Sequence, residues 1–208
     1  NPPLYDVIAA GGEAGMMFSC ASGNSSMDND AIPDWPSGFD LECVIAVAAT
    51  DNQDLPATFT NYGKTTVDLA APGVDIFSSV ASADDAYDSM DGTSMSGPHV
   101  AGVIALMQGM QPSWSVLQIR EKLLESVDVL PSLQDLVATS GRVNAFKAVQ
   151  GMGSGAGLPD GNMEVSIKPS SGSVLLADTN QKIFVTVIDG APVVDAVVIG
   201  ILDDGSEL

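Results

Sequence analysis

Apolar residues fall along this chain in two rhythms, one helical and one unbroken. Leu4, Val7, Ile8 and Ala10 recur at helical spacing and predict a helix over Leu4–Glu13, closed by Gly11 and Gly12. Met16–Ala21 is a short apolar run of buried-strand length, ending in Ser22-Gly23-Asn24, and Cys43–Ala49 is a second. Between them Ser25–Asp40 is a polar loop with Trp35 embedded in it. Unalternating runs joined to helices predict an α/β fold, a parallel sheet covered on both faces. Ala57–Tyr62 and Val67–Leu69 read as short strands or bends, Ala71-Pro72-Gly73 as a turn, and Ile76–Val80 as another strand. Asp84–Asp88 reads as a solvated loop.

A helix follows from Val100 to about Met110, stopping before Pro112. The next helix carries its own start signal. Ser115 and Gln118 have capping-box spacing, and Trp114 with Ile119 fits a hydrophobic staple. Val116, Ile119, Leu123, Leu124 and Val127 then share one face. Ser140–Val143 reads as a turn, and Asn144 caps a short helix over Ala145–Val149. Residues 1–150 are thus expected to form one domain. Residues 151–161, rich in glycine, read as a linker. Residues 162–208 change to strand patterning at Val165–Ile167, Ile183–Ile188 and Val193–Leu202, about half of a β-sandwich module of about 100 residues.

The stretch Asp91–Gly102 is where the chemistry concentrates. Ser94 lies between a glycine turn and the apolar run Val100–Met107, hence at or beside a helix N-terminus. Unpaired N–H groups there favour negative charge. A hydroxyl so placed is a candidate nucleophile with oxyanion donors at hand, and an N-cap serine is the plainer alternative. Pro98 fits a first helical turn, where its missing N–H does no harm.

Composition narrows the partners. The chain has 208 residues, 45% hydrophobic, with 7 Lys and Arg against 27 Asp and Glu, a formal charge of −20. That charge argues against nucleic acid and against an anionic membrane surface as partners. No stretch reaches the roughly 20 apolar residues of a membrane-spanning helix. Cys20 and Cys43 lie in apolar runs and read as buried free thiols rather than a bridge.

Gly92-Thr93-Ser94-Met95-Ser96-Gly97-Pro98-His99-Val100-Ala101-Gly102 resembles the nucleophile segment of subtilisin-like serine proteases (subtilases), with Gly97 where Ala or Ser is usual. Cys20–Asn24 resembles the segment that delivers their oxyanion-hole Asn, and Phe59–Gly63 with Asp68–Gly73 the connection before the serine segment. Trp35-Pro36-Ser37 stands where many members carry Tyr-Pro-Ala. The matching segments cover about Leu4–Val149.

The resemblance implies a subtilisin-like α/β domain, a secreted serine endopeptidase and protein or peptide substrates. It implies Ser94 as nucleophile and Asn24 as the oxyanion donor beside the Ser94 N–H. Ser22 and Gly23 are expected to line one wall of the primary specificity pocket, and Thr93 to buttress the hole and count with them as substrate-binding. Met95 would lie beside the nucleophile. Asp34 sits where a pocket-floor residue could fall, which would favour basic residues, or is an exposed loop carboxylate. The strands after the linker resemble the Ig-like or fibronectin-III-like modules appended to secreted subtilases. No cofactor is required. Calcium enters because many subtilases bind it; Asp28, Asn29 and Asp30 offer oxygens, but their spacing matches no loop motif.

An activated serine needs a base, and the single histidine is in the wrong place. His99 follows Ser94 by five positions in one helix, about 140° around its axis, and the resemblance makes it structural. No His follows it, which removes the α/β-hydrolase order Ser, Asp, His and any His-x-x-x-His zinc site. The subtilase order Asp, His, Ser places both missing members upstream, in a further N-terminal part of the catalytic domain. The chain opens at Asn1 without an initiating Met, in what looks like the lead-in to a helix, and stops at Leu208 just after a strand, so it is expected to be a fragment, inactive alone. The alternative is a non-catalytic half-domain that binds or supports.

Overall fold

A computed structural model describes residues 2–152. The expected linker beyond residue 152 and the Ig- or fibronectin-III-like module over 162–208 lie outside the described residues. Helix α1 (Pro2–Glu13) leads to strand β1 (Phe18–Ala21), then β2 (Val44–Thr50), β3 (Leu69–Pro72), β4 (Ile76–Ser79) and β5 (Tyr87–Met90). Helices α2 (Thr93–Met110) and α3 (Val116–Glu125) follow, then β6 (Asp128–Val129), a 3₁₀ turn (Pro131–Leu133), β7 (Gly141–Arg142) and α4 (Ala145–Val149).

The main sheet has five strands in the order β1-β2-β3-β7-β6, parallel throughout except for β6 against β7. All seven residues of β2 are buried, because both faces of the sheet are covered. Ile45 and Val47 pack with Leu69 and Ala71 against Val100, Val103, Ile104 and Met107 of α2 and Ile119 and Leu123 of α3. Ala46 and Ala48 turn the other way, onto Val67, Ala70, Leu133 and Val137. This is the doubly covered parallel sheet that the unbroken apolar runs imply.

The α3 start is as its local sequence dictates. The Gln118 N–H donates to Ser115 Oγ at 3.3 Å and the Ser115 N–H to Gln118 Oε1 at 2.9 Å. Asn144 caps α4, its Oδ1 accepting from the Lys147 N–H at 2.9 Å. Cys20 and Cys43 are free and buried. Burial, with the nearby Cys43 and Asp68 charges adding to it, pushes the Cys20 thiol up to about 11.

Four elements differ from expectation. Gly11 and Gly12 continue α1 instead of closing it. Side chains there would meet the Phe18 ring and Cys43 Sγ, each 2.7 Å from the added Cβ, so close packing and not helix termination requires glycine. Of the predicted apolar face of α1 only Ile8 is buried, while Leu4 and Val7 are exposed. Ala71 and Pro72 extend β3 rather than forming a turn. Ile76–Ser79 is a strand as expected, and its antiparallel partner β5 takes Tyr87 and Asp88 out of the stretch expected to be a loop. Helix α2 starts at Thr93, which puts Pro98 inside the helix, past the first turn. Its ring faces the Ser94 carbonyl four residues back, which is left without the helical hydrogen bond a residue 98 N–H would have made.

Candidate active site

The end of β1, the end of β3 and the start of α2 converge. The Gly92 N–H donates to the Gly73 carbonyl at 2.8 Å, and Ser96 Oγ donates to the Ala71 carbonyl at 3.0 Å. Ser19 Oγ of β1 donates to the Gly97 carbonyl at 2.8 Å. Gly73 permits this approach: a Cβ there would stand 2.7 Å from Ala49 Cβ and 2.8 Å from the Gly92 carbonyl oxygen. Gly92, the N-cap residue, has φ of 152°, a backbone open to glycine and strained for other residues.

Gly92 makes no side-chain cap, and Ser94 is the second residue of the helix, so the N-cap reading of Ser94 falls away. The Ser94 side chain is exposed, and among the described residues its hydroxyl has no hydrogen-bond partner. Its N–H, in the first turn, has no intrahelical acceptor. Asn24 lies beside it. Asn24 Oδ1 accepts from the Thr93 N–H and from Thr93 Oγ1, both at 2.9 Å. Two donors on one atom identify that atom as the oxygen, which leaves the Asn24 NH₂ as an open donor. Asn24 Nδ2 stands 3.4 Å from where a Gly92 Cβ would be. A free hydroxyl, a free N–H and a free amide NH₂ therefore share the helix N-terminus.

Thr93 is 1% exposed and is the tether of this group. Besides holding Asn24, its Oγ1 accepts from the Gly23 N–H at 3.2 Å. Ser22 points inward, fully buried, with Oγ donating to the Asn61 carbonyl at 3.1 Å. Of the two residues expected to line a pocket wall, Ser22 thus offers no surface, while Gly23 is half-buried. Met95 is half-buried, its sulfur 3.5 Å from the Gly92 Cβ position.

His99 is taken up by its own helix. Nδ1 lies 2.8 Å from the Met95 carbonyl, and burial holds the ring's pKa below the usual histidine value, against the pull of that hydrogen bond. The imidazole does not reach the Ser94 hydroxyl, which has no partner among the described residues.

Asn61 was missed as a site residue, although its segment was singled out. Its Oδ1 accepts from the Ser25 N–H at 2.8 Å and the Met27 N–H at 3.1 Å, and its Nδ2 donates to Asn29 Oδ1 at 3.1 Å. This pins the loop that presents Asn24. Asn29 is 1% exposed and also donates to the Ser22 carbonyl at 2.8 Å. Asp30 Oδ1 takes the Thr65 and Thr66 donors, while Asp28 Oδ1 accepts the Asp30 N–H at 2.9 Å. Burial works against ionisation of Asp30, but the bonds from Thr66 and Thr65 outweigh it and hold the carboxyl below its usual range. In Asp28, Asn29 and Asp30 these oxygens are turned to protein donors.

The Asp68 carboxylate lies further down the sheet, 2.5 Å from an Arg120 nitrogen and 2.7 Å from the Ala46 N–H. Burial raises its pKa, with Arg120 opposing.

Known proteins resemble this chain in sequence and in fold. The chain is 39% identical over 137 residues to alkaline elastase YaB of Bacillus sp. (strain YaB), covering 66% of this chain and 34% of that protein. It is 35% identical over 147 residues to subtilisin BL of Lederbergia lenta, covering 71% and 51%. A solved protease of Pseudoalteromonas arctica PAMC 21717 superposes with a TM-score of 0.67 at 26% identity, covering 74% of this chain and 48% of that one. The chain thus spans from about a third to half the length of these relatives. No described helix is long and apolar enough to cross a membrane. The sequence model of the Subtilase family matches residues 4–153, and the chain belongs to that family.

Proposed function

We propose that this chain is the C-terminal portion of the catalytic domain of an extracellular serine endopeptidase, acting on protein or peptide substrates. Ser94 is its nucleophile, and Asn24 Nδ2 with the Ser94 N–H is its oxyanion hole. The observation that carries this reading is the pair of hydrogen bonds from Thr93 to Asn24 Oδ1, which leave the Asn24 NH₂ open beside an unpartnered Ser94 hydroxyl. The base and its orienting carboxylate come from a segment outside these 208 residues, because the one His of the chain is held by the Met95 carbonyl.

In this mechanism Ser94 Oγ adds to the scissile carbonyl carbon as its proton passes to that outside histidine. The carbonyl oxygen becomes an alkoxide and accepts from Asn24 Nδ2 and the Ser94 N–H. The C–N bond breaks as the histidine returns the proton to the departing amine, leaving an ester on Ser94. Water, deprotonated by the same histidine, adds to the ester, and collapse releases the acid and restores the hydroxyl. In subtilisin itself, a member of this family, losing one such donor lowers kcat by about 10²–10³. The end of this catalytic portion at residue 150 belongs to the same reading.

Expression of the complete reading frame tests it. Peptide hydrolysis should vanish in Ser94→Ala and fall in kcat with little change of KM in Asn24→Ala. Full hydrolysis by Ser94→Ala, or by the 208 residues alone, sinks the proposal.

A further inference from the structure

The β4–β5 hairpin carries a face that no other described element covers. The register sets Phe77 opposite Ser89 and Ser79 opposite Tyr87, so these four side chains share one face. All four are exposed. Phe77 and Tyr87, diagonal neighbours across the two strands, stack with ring centroids 5.7 Å apart and planes 21° from parallel. They are nonetheless 69% and 55% exposed, so the pair offers its surface to solvent and not to the core. On the opposite face Ile76 and Ser78 are half-buried, which fixes the direction in which the rings point.

Carboxylates frame the rings. Asp75 and Asp91 stand at the base of the hairpin, where the Asp75 N–H donates to Asp91 Oδ1 at 2.6 Å, and Asp84 and Asp85 lie in the loop at its tip. All four are exposed, and none has an ion pair among the described residues. The sequence between Lys64 and Arg120 contains no lysine or arginine. This charge decides among occupants. A second copy of the chain, at a formal −20, would set the same carboxylates against each other. Residues 153–208 suit the face no better, with eight carboxylates against Lys168 and Lys182. A cationic side chain is attracted both by the ring faces and by the carboxylates around them.

The hairpin runs directly into the site. β5 ends at Met90, and Gly92 is the N-cap of the helix whose second residue is Ser94. Gly23 and Asn24 reach Ser94 from the end of β1, whereas the hairpin follows β3, two strands across the sheet. From Tyr87 to Met90 the strand spans about 10 Å, and with the turn to Ser94 added an extended peptide covers the distance in about four or five residues. We infer that the Phe77–Tyr87 face binds lysine or arginine side chains of the substrate about four or five residues beyond the cleaved bond, on the leaving-group side. This rests on the peptidase reading above, with the acyl side of the substrate against Gly23.

The test uses the enzyme from the complete reading frame and internally quenched peptides with one cleaved bond, located by mass spectrometry. They differ only at the fourth and fifth residues after that bond, which are Lys-Arg, Gln-Gln or Glu-Glu. A peptide p-nitroanilide, which has no residue after the bond, reports the chemistry alone. Lys-Arg should exceed Gln-Gln in kcat/KM by at least about fivefold, chiefly through KM, and Glu-Glu should be the poorest of the three. In the double variant Phe77→Ser, Tyr87→Ser the Lys-Arg to Gln-Gln ratio should fall to within about twofold of unity. Equal turnover of the three peptides, or a Lys-Arg preference that survives the double variant, overturns the docking face and, with the p-nitroanilide cleaved, leaves the peptidase standing. Hydrolysis of none of the substrates overturns both.

Discussion

Replacing Thr93 by valine removes one oxygen and keeps the shape of a side chain that is 1% exposed. Two hydrogen bonds go with it. The Gly23 N–H loses the Oγ1 acceptor at 3.2 Å, and Asn24 Oδ1 loses one of its two donors at 2.9 Å. Gly23 is half-buried, so its N–H recovers some contact with water. The stability cost should be about 1–2 kcal/mol, or about 2–4 °C of Tm for each kcal/mol in a chain of this size. Asn24 then hangs from the Thr93 N–H alone, and its NH₂ is no longer held against the oxyanion. In the complete enzyme kcat should fall about tenfold, equivalent to about 1.4 kcal/mol of barrier, with KM unchanged. Differential scanning calorimetry and steady-state kinetics read the two effects separately. A Tm drop with kcat changed less than about twofold would refute the positioning role and leave Thr93 a packing residue.

Arg120→Met leaves the Asp68 carboxylate, 8% exposed, without its cation and should cost about 3–5 kcal/mol in urea melts. The double variant with Asp68→Asn should recover part of that loss, and additive losses would contradict the pairing. Gly73→Ala forces a Cβ to 2.7 Å from Ala49 Cβ and should cost at least about 1–3 kcal/mol; an unchanged Tm would disprove the close approach of β3 and α2. His99, held below its ordinary pKa of 6.5 by burial, resists a proton that the unfolded chain accepts. Its contribution to stability is therefore unaltered above pH 6.5 and lost as pH falls through the window below it. His99→Gln should flatten the dependence of Tm on pH between about 7.5 and 5.5, and an identical slope would contradict the burial argument.

How much of this was legible in the sequence depends on the range of the interaction. The α3 cap was readable because Ser115 and Gln118 are three residues apart and satisfy each other. The parallel sheet was readable because β2 is buried on both faces and has no polar position to alternate with. The roles of Gly11 and Gly12 were not, since the Phe18 ring and Cys43 Sγ that demand glycine arrive from other elements. Ile76–Ser79 has the same apolar content whichever way it pairs, so its hairpin with β5 left no local mark. Nor did Pro98 announce its place inside α2, because the helix begins earlier than its apolar run. At the site, the family resemblance pointed to Ser94 and Asn24 as candidates, but the atoms that orient Asn24 are on Thr93, 69 residues along the chain. The inward turn of Ser22 and the anchoring by Asn61 likewise depend on contacts 39 and 34 to 36 residues away.

The central claim is that Ser94 is the nucleophile. Incubation of the complete protein with a fluorophosphonate probe, followed by peptide mass spectrometry, addresses it most directly. One phosphonyl adduct on the peptide holding Gly92–His99, at Ser94, lost in Ser94→Ala and slowed in Asn24→Ala, is the predicted result. An adduct on another residue, or one that persists in Ser94→Ala, would contradict it.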